Sequence, residues 1–422
     1  MPFTPSQDGA LAVNRSISSE LPAGRRRWVV TFAGTGINLA LGVLYTWSMF
    51  KEAISKEFGW KGEQLNDPYA LCCLVFSFAI ILAGRCQDKL GPRLTASIGG
   101  LLVGIGLLLI SRTNSYLAWL LGFGVLVGTG IGFGYSSATP AALKWFPPAK
   151  TGLVAGLVVG GFGLAPVYLS PLSKYLLSTH GLRGAMFIYS VAFALAVCTL
   201  AQLLANPPPT PTGAGRATTA PGAAATGAIP REMLRTPTFY LLWLIYFIGA
   251  GAGLMVISSI SGMAKKSLGD AAFVAVAVMA IGNAAGRIGA GLLSDRIGRR
   301  RTLLLVLLFQ ALLMLVAIPV AGTKGMAAWL LVLVATLIGF NYGAHLSLLP
   351  SYTKDLWGLK SFGMNYGILF TAWGVGGFVL SRLQQMLTSQ SGGSFTSSFA
   401  VAAALLLAGA ALTLAIKTAV KE

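Results

Sequence analysis

The chain has 422 residues, of which 55% are hydrophobic and only 10% are charged. Its mean hydropathy of +0.74 excludes an ordinary soluble domain and is typical of a polytopic membrane protein. A net charge of +19 would suggest nucleic-acid binding in a soluble protein, but membrane proteins concentrate basic residues in cytoplasmic loops. We therefore expect a lipid bilayer, and no nucleic acid, as the environment of the chain.

Apolar runs of about 20 residues, separated by charged or Gly/Pro-rich turns, predict twelve membrane-spanning helices in an all-α protein. The first six cover 28–50, 66–84, 94–111, 116–138, 152–173 and 184–205. The second six cover 238–260, 271–293, 302–321, 327–349, 361–381 and 396–416.

The basic residues predict how these helices are oriented. If successive loops lie on alternating sides of the membrane, 20 of the 31 Lys and Arg residues lie on the side that holds both termini and 10 lie on the other side. The remaining one, Arg287, lies within a span. The positive-inside rule then places both termini in the cytoplasm of a plasma-membrane or inner-membrane protein. Residues 1–24 lack the apolar core of a cleavable signal peptide and are expected to form a disordered cytoplasmic tail.

The first span carries Asn38 and Tyr45 seven residues apart, a spacing that puts both on one helical face. They either line a cavity and bind substrate or serve in packing between helices. The four cysteines indicate neither a disulfide nor a metal site, and no motif indicates a cofactor.

A charged turn of the form Gly-x-x-x-Asp-basic-x-Gly-x-Arg occurs after the second span and again after the eighth. Its named members are Gly84, Asp88 and Arg93 in the first copy and Gly291, Asp295 and Arg299 in the second. The two aspartates, at positions 88 and 295, are 207 residues apart, so the chain consists of two parallel six-helix repeats. We expect the glycines to permit close helix approach and each aspartate to accept from a neighbouring helix N-terminus or arginine, as a conformational switch.

Residues 206–230 lie between the repeats and are rich in Pro, Gly, Ala and Thr, with a single charged residue. This composition cannot bury a core and predicts a flexible cytoplasmic linker. The predicted domains are therefore an N-terminal bundle at 25–205 and a C-terminal bundle at 231–422.

Arg287 stands in an otherwise apolar run, eight residues before Asp295. At about 1.5 Å per residue it lies about 12 Å inside the membrane edge. A charge near the bilayer centre costs at least about 2.5 kcal/mol, so it normally faces a cavity and has a partner. All twelve acidic residues lie in tails, loops or the two charged turns, so we predict that a substrate carboxylate is this partner. The alternative is a fixed strut that binds helix carbonyls.

Four further residues are candidates for the same site. Asn283 lies one turn before Arg287 and could donate to a second substrate oxygen. Tyr135 and Tyr342 have similar estimated depths, and their phenols either bind a carboxylate or pack between helices. His345 is the one group within a span that titrates near neutrality, so it is either a proton relay or a neutral packed histidine.

The repeated charged turns resemble the signature loops of the major facilitator superfamily. A narrower resemblance, to the oxalate/formate antiporters and related monocarboxylate transporters, rests on LGVLYTWSMF (41–50), KWFPPAKTGLVAGLVVGGFGLAP (144–166), EMLRTPTFYLLW (232–243) and NYG (365–367). It implies that Arg287 matches the substrate-binding arginine of the eighth helix. Two positions differ: Trp373 stands where the oxalate exchangers carry a second cation, and Asn283 stands where the monocarboxylate transporters carry an aspartate.

These observations predict a secondary active transporter, not an enzyme, that moves small monocarboxylates such as lactate, pyruvate or formate by alternating access. Without a second cation, a dianion would leave one charge uncompensated, and the bulk of Trp373 favours a small substrate. Proton symport is the preferred coupling, an oxalate/formate-type anion exchanger is the alternative, and a carboxylate-binding sensor is a further one. We expect a monomer without cofactor or metal.

Overall fold

The structure, a computed structural model, describes residues 23–60, 62–65, 67–208, 227–268, 272–320, 327–392 and 394–416. These residues form helices and connecting turns, with no strand among them. Eleven of the described helices are long and apolar enough to cross a membrane. One of the eleven, Thr151–Ala201, has 51 residues, more than twice the length that a bilayer requires.

This 51-residue element consists of two antiparallel helices. Gly181 has a φ of 66°, a conformation that favours glycine, and it interrupts the helix. Ser173 and Tyr189 lie eight residues to either side of it, and their hydroxyls are hydrogen-bonded at 2.8 Å. In a straight helix these two residues would be about 24 Å apart. The chain therefore turns back at Gly181, and the predicted number of twelve membrane helices is confirmed.

We label the membrane helices α1 to α12 in chain order. They are α1 Ala23–Leu41, α2 Asp67–Leu90, α3 Pro92–Ser111, α4 Tyr116–Leu143, α5 at 151–180, α6 at 182–201, α7 Pro237–Leu268, α8 Ala272–Ile297, α9 Arg299–Val320, α10 Ala327–Trp357, α11 Phe362–Gln390 and α12 Thr396–Leu414.

The first helix departs from its predicted bounds at both ends. It begins at Ala23, within the predicted tail 1–24, of which residues 1–22 lie outside the described part of the chain. It ends at Leu41 and continues as a 3₁₀ turn, Gly42–Thr46, and then as a separate helix, Trp47–Phe58. The tighter 3₁₀ turn rotates the side chains that follow, which alters the face that Tyr45 presents.

Helices α1–α6 form one bundle and α7–α12 form the other, and the bundles meet mainly where α5 contacts α8 and α2 contacts α11. Within the predicted linker 206–230, residues 209–226 lie outside the described residues. The last residues of the predicted linker contact the second bundle. The Ala228 amide donates to the Trp357 carbonyl at 2.9 Å, and Asn365 donates to the Ala228 carbonyl at 2.8 Å.

Candidate functional site

Arg287 on α8 is completely buried and faces α5, so it lies at the contact between the two bundles. Its Nε donates to Asn283 Oδ1 at 3.0 Å, and its Nη1 donates to the Val159 carbonyl of α5. Glycines on α5 allow this approach, because a Cβ on Gly156 would overlap the Arg287 carbonyl and one on Gly163 would lie 3.3 Å from Arg287 Nε. The arginine therefore spans the interface between the halves.

The Arg287 charge has no carboxylate partner among the described residues. Its Nη2 is buried and forms no hydrogen bond of normal geometry with any described group. The groups near the guanidinium are an amide oxygen, a carbonyl and the Tyr45 phenol, none of which carries a negative charge. A buried cation without a countercharge is unfavourable, which points to an anion. The alternative of a carbonyl-binding strut thus accounts for Nη1 but leaves Nη2 without a role.

Three aromatic side chains near Arg287 form a second set of donors, which we call the Tyr45 cluster: Tyr45, Tyr342 and Trp373. The hydroxyls of Tyr45 and Tyr342 are 2.7 Å apart, and Trp373 Nε1 donates to the Tyr342 hydroxyl at 2.8 Å. Tyr45 belongs to the first bundle and the other two belong to the second, so the cluster joins the halves. Both phenols lie within electrostatic reach of the Arg287 charge.

One hydroxyl hydrogen of the Tyr45 cluster has no acceptor within the cluster. The indole of Trp373 can only donate, so it occupies a lone pair of the Tyr342 oxygen. The two phenols carry two hydroxyl hydrogens, and only one of these can lie between them. The other has no acceptor within the cluster. Together with Arg287 Nη2, the site therefore offers donors without acceptors, which suits a carboxylate.

Asn283 and Asn38 both form hydrogen bonds to protein groups, and their predicted contacts with substrate stay predictions. Asn283 Oδ1 accepts from Arg287 Nε and orients the guanidinium. Asn38 donates to the Val158 carbonyl at 2.9 Å and ties α1 to α5 within the first bundle. Asn38 and Tyr45 have different partners, and Tyr45 lies within the 3₁₀ turn Gly42–Thr46, where the spacing of an α-helix no longer holds.

Tyr135 on α4 packs among phenylalanines at the centre of the interface. Its ring centroid is 5.6 Å from Phe76, 5.6 Å from Phe162 and 5.5 Å from Phe370. Its hydroxyl is buried and forms no hydrogen bond of normal geometry with a described group. Phe370 also stacks on Trp373 at 5.2 Å, so these rings form a layer that joins the bundles.

His345 is placed inside the second bundle. Its Nε2 is 3.0 Å from Gln310 Oε1 on α9, and Gly249 on α7 packs against its ring. Gln310 in turn donates to the Gly249 carbonyl at 3.2 Å. The Nδ1 atom is buried and lacks a described partner. These contacts resemble those of a packed neutral histidine, and the relay role stays a prediction.

Both charged turns lie at one end of the molecule, which we call the signature end. Asp88 accepts from the amides of Gly363 and Met364 at the start of α11, at 3.2 and 3.1 Å. Asp295 accepts from the amides of Gly152 and Leu153 at the start of α5, both at 3.0 Å. Each aspartate thus holds the N-terminus of a helix in the other bundle, where anions are favoured.

The glycines of the two turns serve two purposes. Gly91 and Gly298 adopt φ values of 86° and 91°, which only glycine tolerates readily. Gly84 packs against the backbone of Gly363, and Gly291 packs against that of Gly152, so tightly that a Cβ would overlap it. The aspartate contacts form only because the helices approach this closely.

The arginines of the two turns differ in their partners. Arg299 pairs with Asp295 at 2.6 Å and with Asp355 at 2.9 Å. Arg93 instead donates to the Leu204 carbonyl at 2.7 Å, beyond the end of α6. The cation that faces Asp88 is Lys144, whose pKa is lowered by burial, an effect that the Asp88 carboxylate partly offsets.

Lys354 adds another link between the halves at the signature end. It donates to the Thr151 hydroxyl at 2.7 Å, next to the amides that Asp295 holds. Sequence reasoning identified neither Lys354 nor the Val159 carbonyl that accepts from Arg287.

Comparison with known proteins supports a transporter. The family model described as Major Facilitator Superfamily matches residues 29–381 and 266–421. The chain is 28% identical to the oxalate:formate antiporter of Oxalobacter formigenes, over 83% of this chain and 82% of that protein. It is 27% identical to monocarboxylate transporter 13 of Rattus norvegicus, over 93% of this chain and 89% of that protein.

Solved structures agree on the fold. The fucose transporter FucP in its outward conformation superposes with a TM-score of 0.70 at 16% identity, over 93% of this chain and all of that one. The proton:xylose symporter XylE gives 0.71 at 16% identity, over 93% and 96% of the two chains. With twelve membrane helices, paired signature turns and a family match along nearly its whole length, the chain belongs to the Major Facilitator Superfamily of membrane transporters.

Proposed function

We propose that this protein carries small monocarboxylates, such as lactate, pyruvate or formate, across the membrane by alternating access. The observation that carries the proposal is Arg287, a buried cation that pairs with no described carboxylate and whose Nη2 forms no hydrogen bond of normal geometry with a described residue. A carboxylate bound there would neutralise the charge, and it would also accept the spare hydroxyl hydrogen of the Tyr45 cluster.

The relatives support the same substrate class. One is named for the exchange of oxalate and formate, and the other for monocarboxylates. A monoanion matches the single cation of the site, since the uncharged Trp373 occupies the interface on α11, hydrogen-bonded to Tyr342. A dianion would keep one charge unpaired in a region of low dielectric, which is costly.

For the transport cycle, we propose that 25–205 and 231–422 move as two units around Arg287. The signature end faces the cytoplasm in this proposal, as do both termini, and the monomer resides in the plasma or inner membrane. Inward opening would break the contacts of Asp88 and Asp295 with the opposite bundle. Outward opening would separate Tyr45 from Tyr342.

Proton symport is the proposed coupling. Carboxylates are absent from the centre of the described spans, so a proton would travel with the substrate or through His345, whose Nδ1 has no described partner. The second candidate is an exchanger of organic anions, favoured by the similarity to the oxalate:formate antiporter. In an exchanger, Arg287 would hold an anion during both half-cycles and no proton would be needed.

An inward proton gradient separates the two modes. In proteoliposomes, we expect a gradient of one pH unit to drive an accumulation of radiolabelled L-lactate of about ten-fold, because electroneutral symport equates the two gradients. A protonophore should abolish the accumulation. If uptake does not depend on the proton gradient but requires formate preloaded inside the vesicles, the protein is an exchanger and not a symporter. Absence of both responses would contradict the proposed function.

A further inference from the structure

A second group of donors lies close to Arg287 but takes no part in the contacts described for the Tyr45 cluster. We call it the Tyr366 cluster: Tyr135 on α4, Tyr246 on α7 and Tyr366 on α11. All three side chains are at most 2% exposed. Their hydroxyls face one another, yet none forms a hydrogen bond of normal geometry with a described group.

Two other buried tyrosines form hydrogen bonds of normal geometry. Tyr189 pairs with the Ser173 hydroxyl at 2.8 Å, and Tyr342 pairs with the Tyr45 hydroxyl at 2.7 Å. A buried hydroxyl without a well-formed hydrogen bond is unfavourable, and three such hydroxyls lie together in the Tyr366 cluster. Each hydroxyl brings a hydrogen, and the group contains no stronger acceptor than the hydroxyls themselves.

The Tyr366 cluster lies closer to the signature end than the Tyr45 cluster does. Along α11, which begins at Phe362 beside Asp88, Tyr366 comes first, Phe370 follows one turn later and Trp373 comes last. Tyr366 and Trp373 are therefore about 10 Å apart along the helix axis. The three phenols all pack around Phe370, with ring centroids 5.5 to 6.0 Å away.

Arg287 links the two clusters. Its charge reaches Tyr135 and Tyr246 as well as Tyr45 and Tyr342. An anion that leaves Arg287 toward the signature end would meet the three phenols next, once Phe370 moves aside. The cluster also includes residues of both bundles, so inward opening would separate Tyr135 from the other two and uncover their hydroxyls.

We infer that Tyr135, Tyr246 and Tyr366 form a second carboxylate subsite, which holds the substrate between Arg287 and the cytoplasm during release and rebinding. This inference rests on the proposed function. In the subsite the hydroxyls donate to the carboxylate oxygens, and Arg287 supplies the long-range attraction. In the closed state the hydroxyls have only one another as hydrogen-bond neighbours, and a bound carboxylate would be a stronger acceptor.

The test removes single hydroxyls and measures each face of the membrane separately. Tyr246→Phe and Tyr366→Phe keep the rings that pack on Phe370. Exchange of L-lactate is measured in inverted vesicles, which present the proposed cytoplasmic face, and in right-side-out vesicles. Tyr189→Phe is the matched control, since it also removes a buried hydroxyl but lies within the first bundle, away from the interface.

We expect each of the two variants to raise the half-saturating lactate concentration about ten-fold in inverted vesicles, the effect of one lost hydrogen bond to a charged group. In right-side-out vesicles the change should stay below about two-fold, which also shows that the variants fold. The control should change neither value. Equal shifts at both faces, or no shift at either, would overturn the subsite. If the native protein exchanges no lactate, the proposed function fails as well. If exchange is lost in Arg287→Gln but is unchanged in both tyrosine variants, only the subsite is overturned.

Discussion

Replacing Arg287 with glutamine is expected to reduce monocarboxylate transport by at least about 30-fold. The substitution removes the one cation among the described residues of the site, together with the Nη2 donors, which form no hydrogen bond of normal geometry with a described residue. Losing a desolvated charge pair with a carboxylate typically costs about 2 to 5 kcal/mol. Initial rates of L-lactate uptake in proteoliposomes, at equal protein content, measure the effect. Arg287→Lys keeps the charge without the planar fork and should retain partial activity.

Thermal stability distinguishes a substrate anchor from a structural strut. In the empty protein Arg287 is buried and only partly compensated, so Arg287→Gln should melt at a temperature no lower than the native protein. L-lactate should raise the melting temperature of the native protein alone. If the variant melts at a distinctly lower temperature and still responds to lactate, Arg287 is a strut that holds the Val159 carbonyl, and the anchor role is wrong.

Adding a methyl group at Gly152 is expected to open the signature end. A Cβ there would overlap the Gly291 carbonyl, and a backbone group cannot rotate away as a side chain does. Overpacking of this kind costs about 1 to 3 kcal/mol, and the strain disappears when the bundles separate. Gly152→Ala should therefore shift the population toward the inward-open state and reduce the transport rate about ten-fold.

Spin labels on exposed residues of the two halves measure the shift directly. Labels at Lys89 and Arg296, introduced as cysteines in a protein whose four native cysteines are replaced, lie on opposite bundles at the signature end. We expect a longer label-to-label distance in Gly152→Ala. Gly160→Ala is the matched control on the same helix, because its Cβ would meet only Ile288 at an ordinary 3.9 Å. An unchanged distance distribution in Gly152→Ala would contradict the account of the closed end.

The helices and the repeat could be predicted because their causes are local. Apolar length defines a span, and the paired glycines at 91 and 298 share a backbone conformation that few other residues adopt. The depth of Arg287 followed from its distance in residues to Asp295. The two aspartates could be expected to hold helix N-termini. The positive end of a helix dipole attracts anions, whichever part of the chain forms the helix.

The partners of most site residues could not be predicted, because they depend on how each helix is rotated against its neighbours. Val159 contributes a backbone carbonyl, which has no sequence signal. A π-helical stretch, Leu120–Val127, changes the rotation of α4 before Tyr135, and the 3₁₀ turn does the same before Tyr45. The contact of His345 with Gln310, 35 residues earlier in the chain, also depends on how the two helices pack.

Binding of L-lactate and L-lactamide to the purified protein, compared by isothermal titration calorimetry, tests the central claim most directly. The two ligands have nearly the same shape and differ in the charge that Arg287 is proposed to recognise. We expect saturable lactate binding in the native protein, at least about 100-fold weaker lactamide binding, and weaker binding of oxalate than of lactate. Lactamide binding within about three-fold of lactate, or tighter binding of oxalate, would contradict a monocarboxylate site anchored by Arg287.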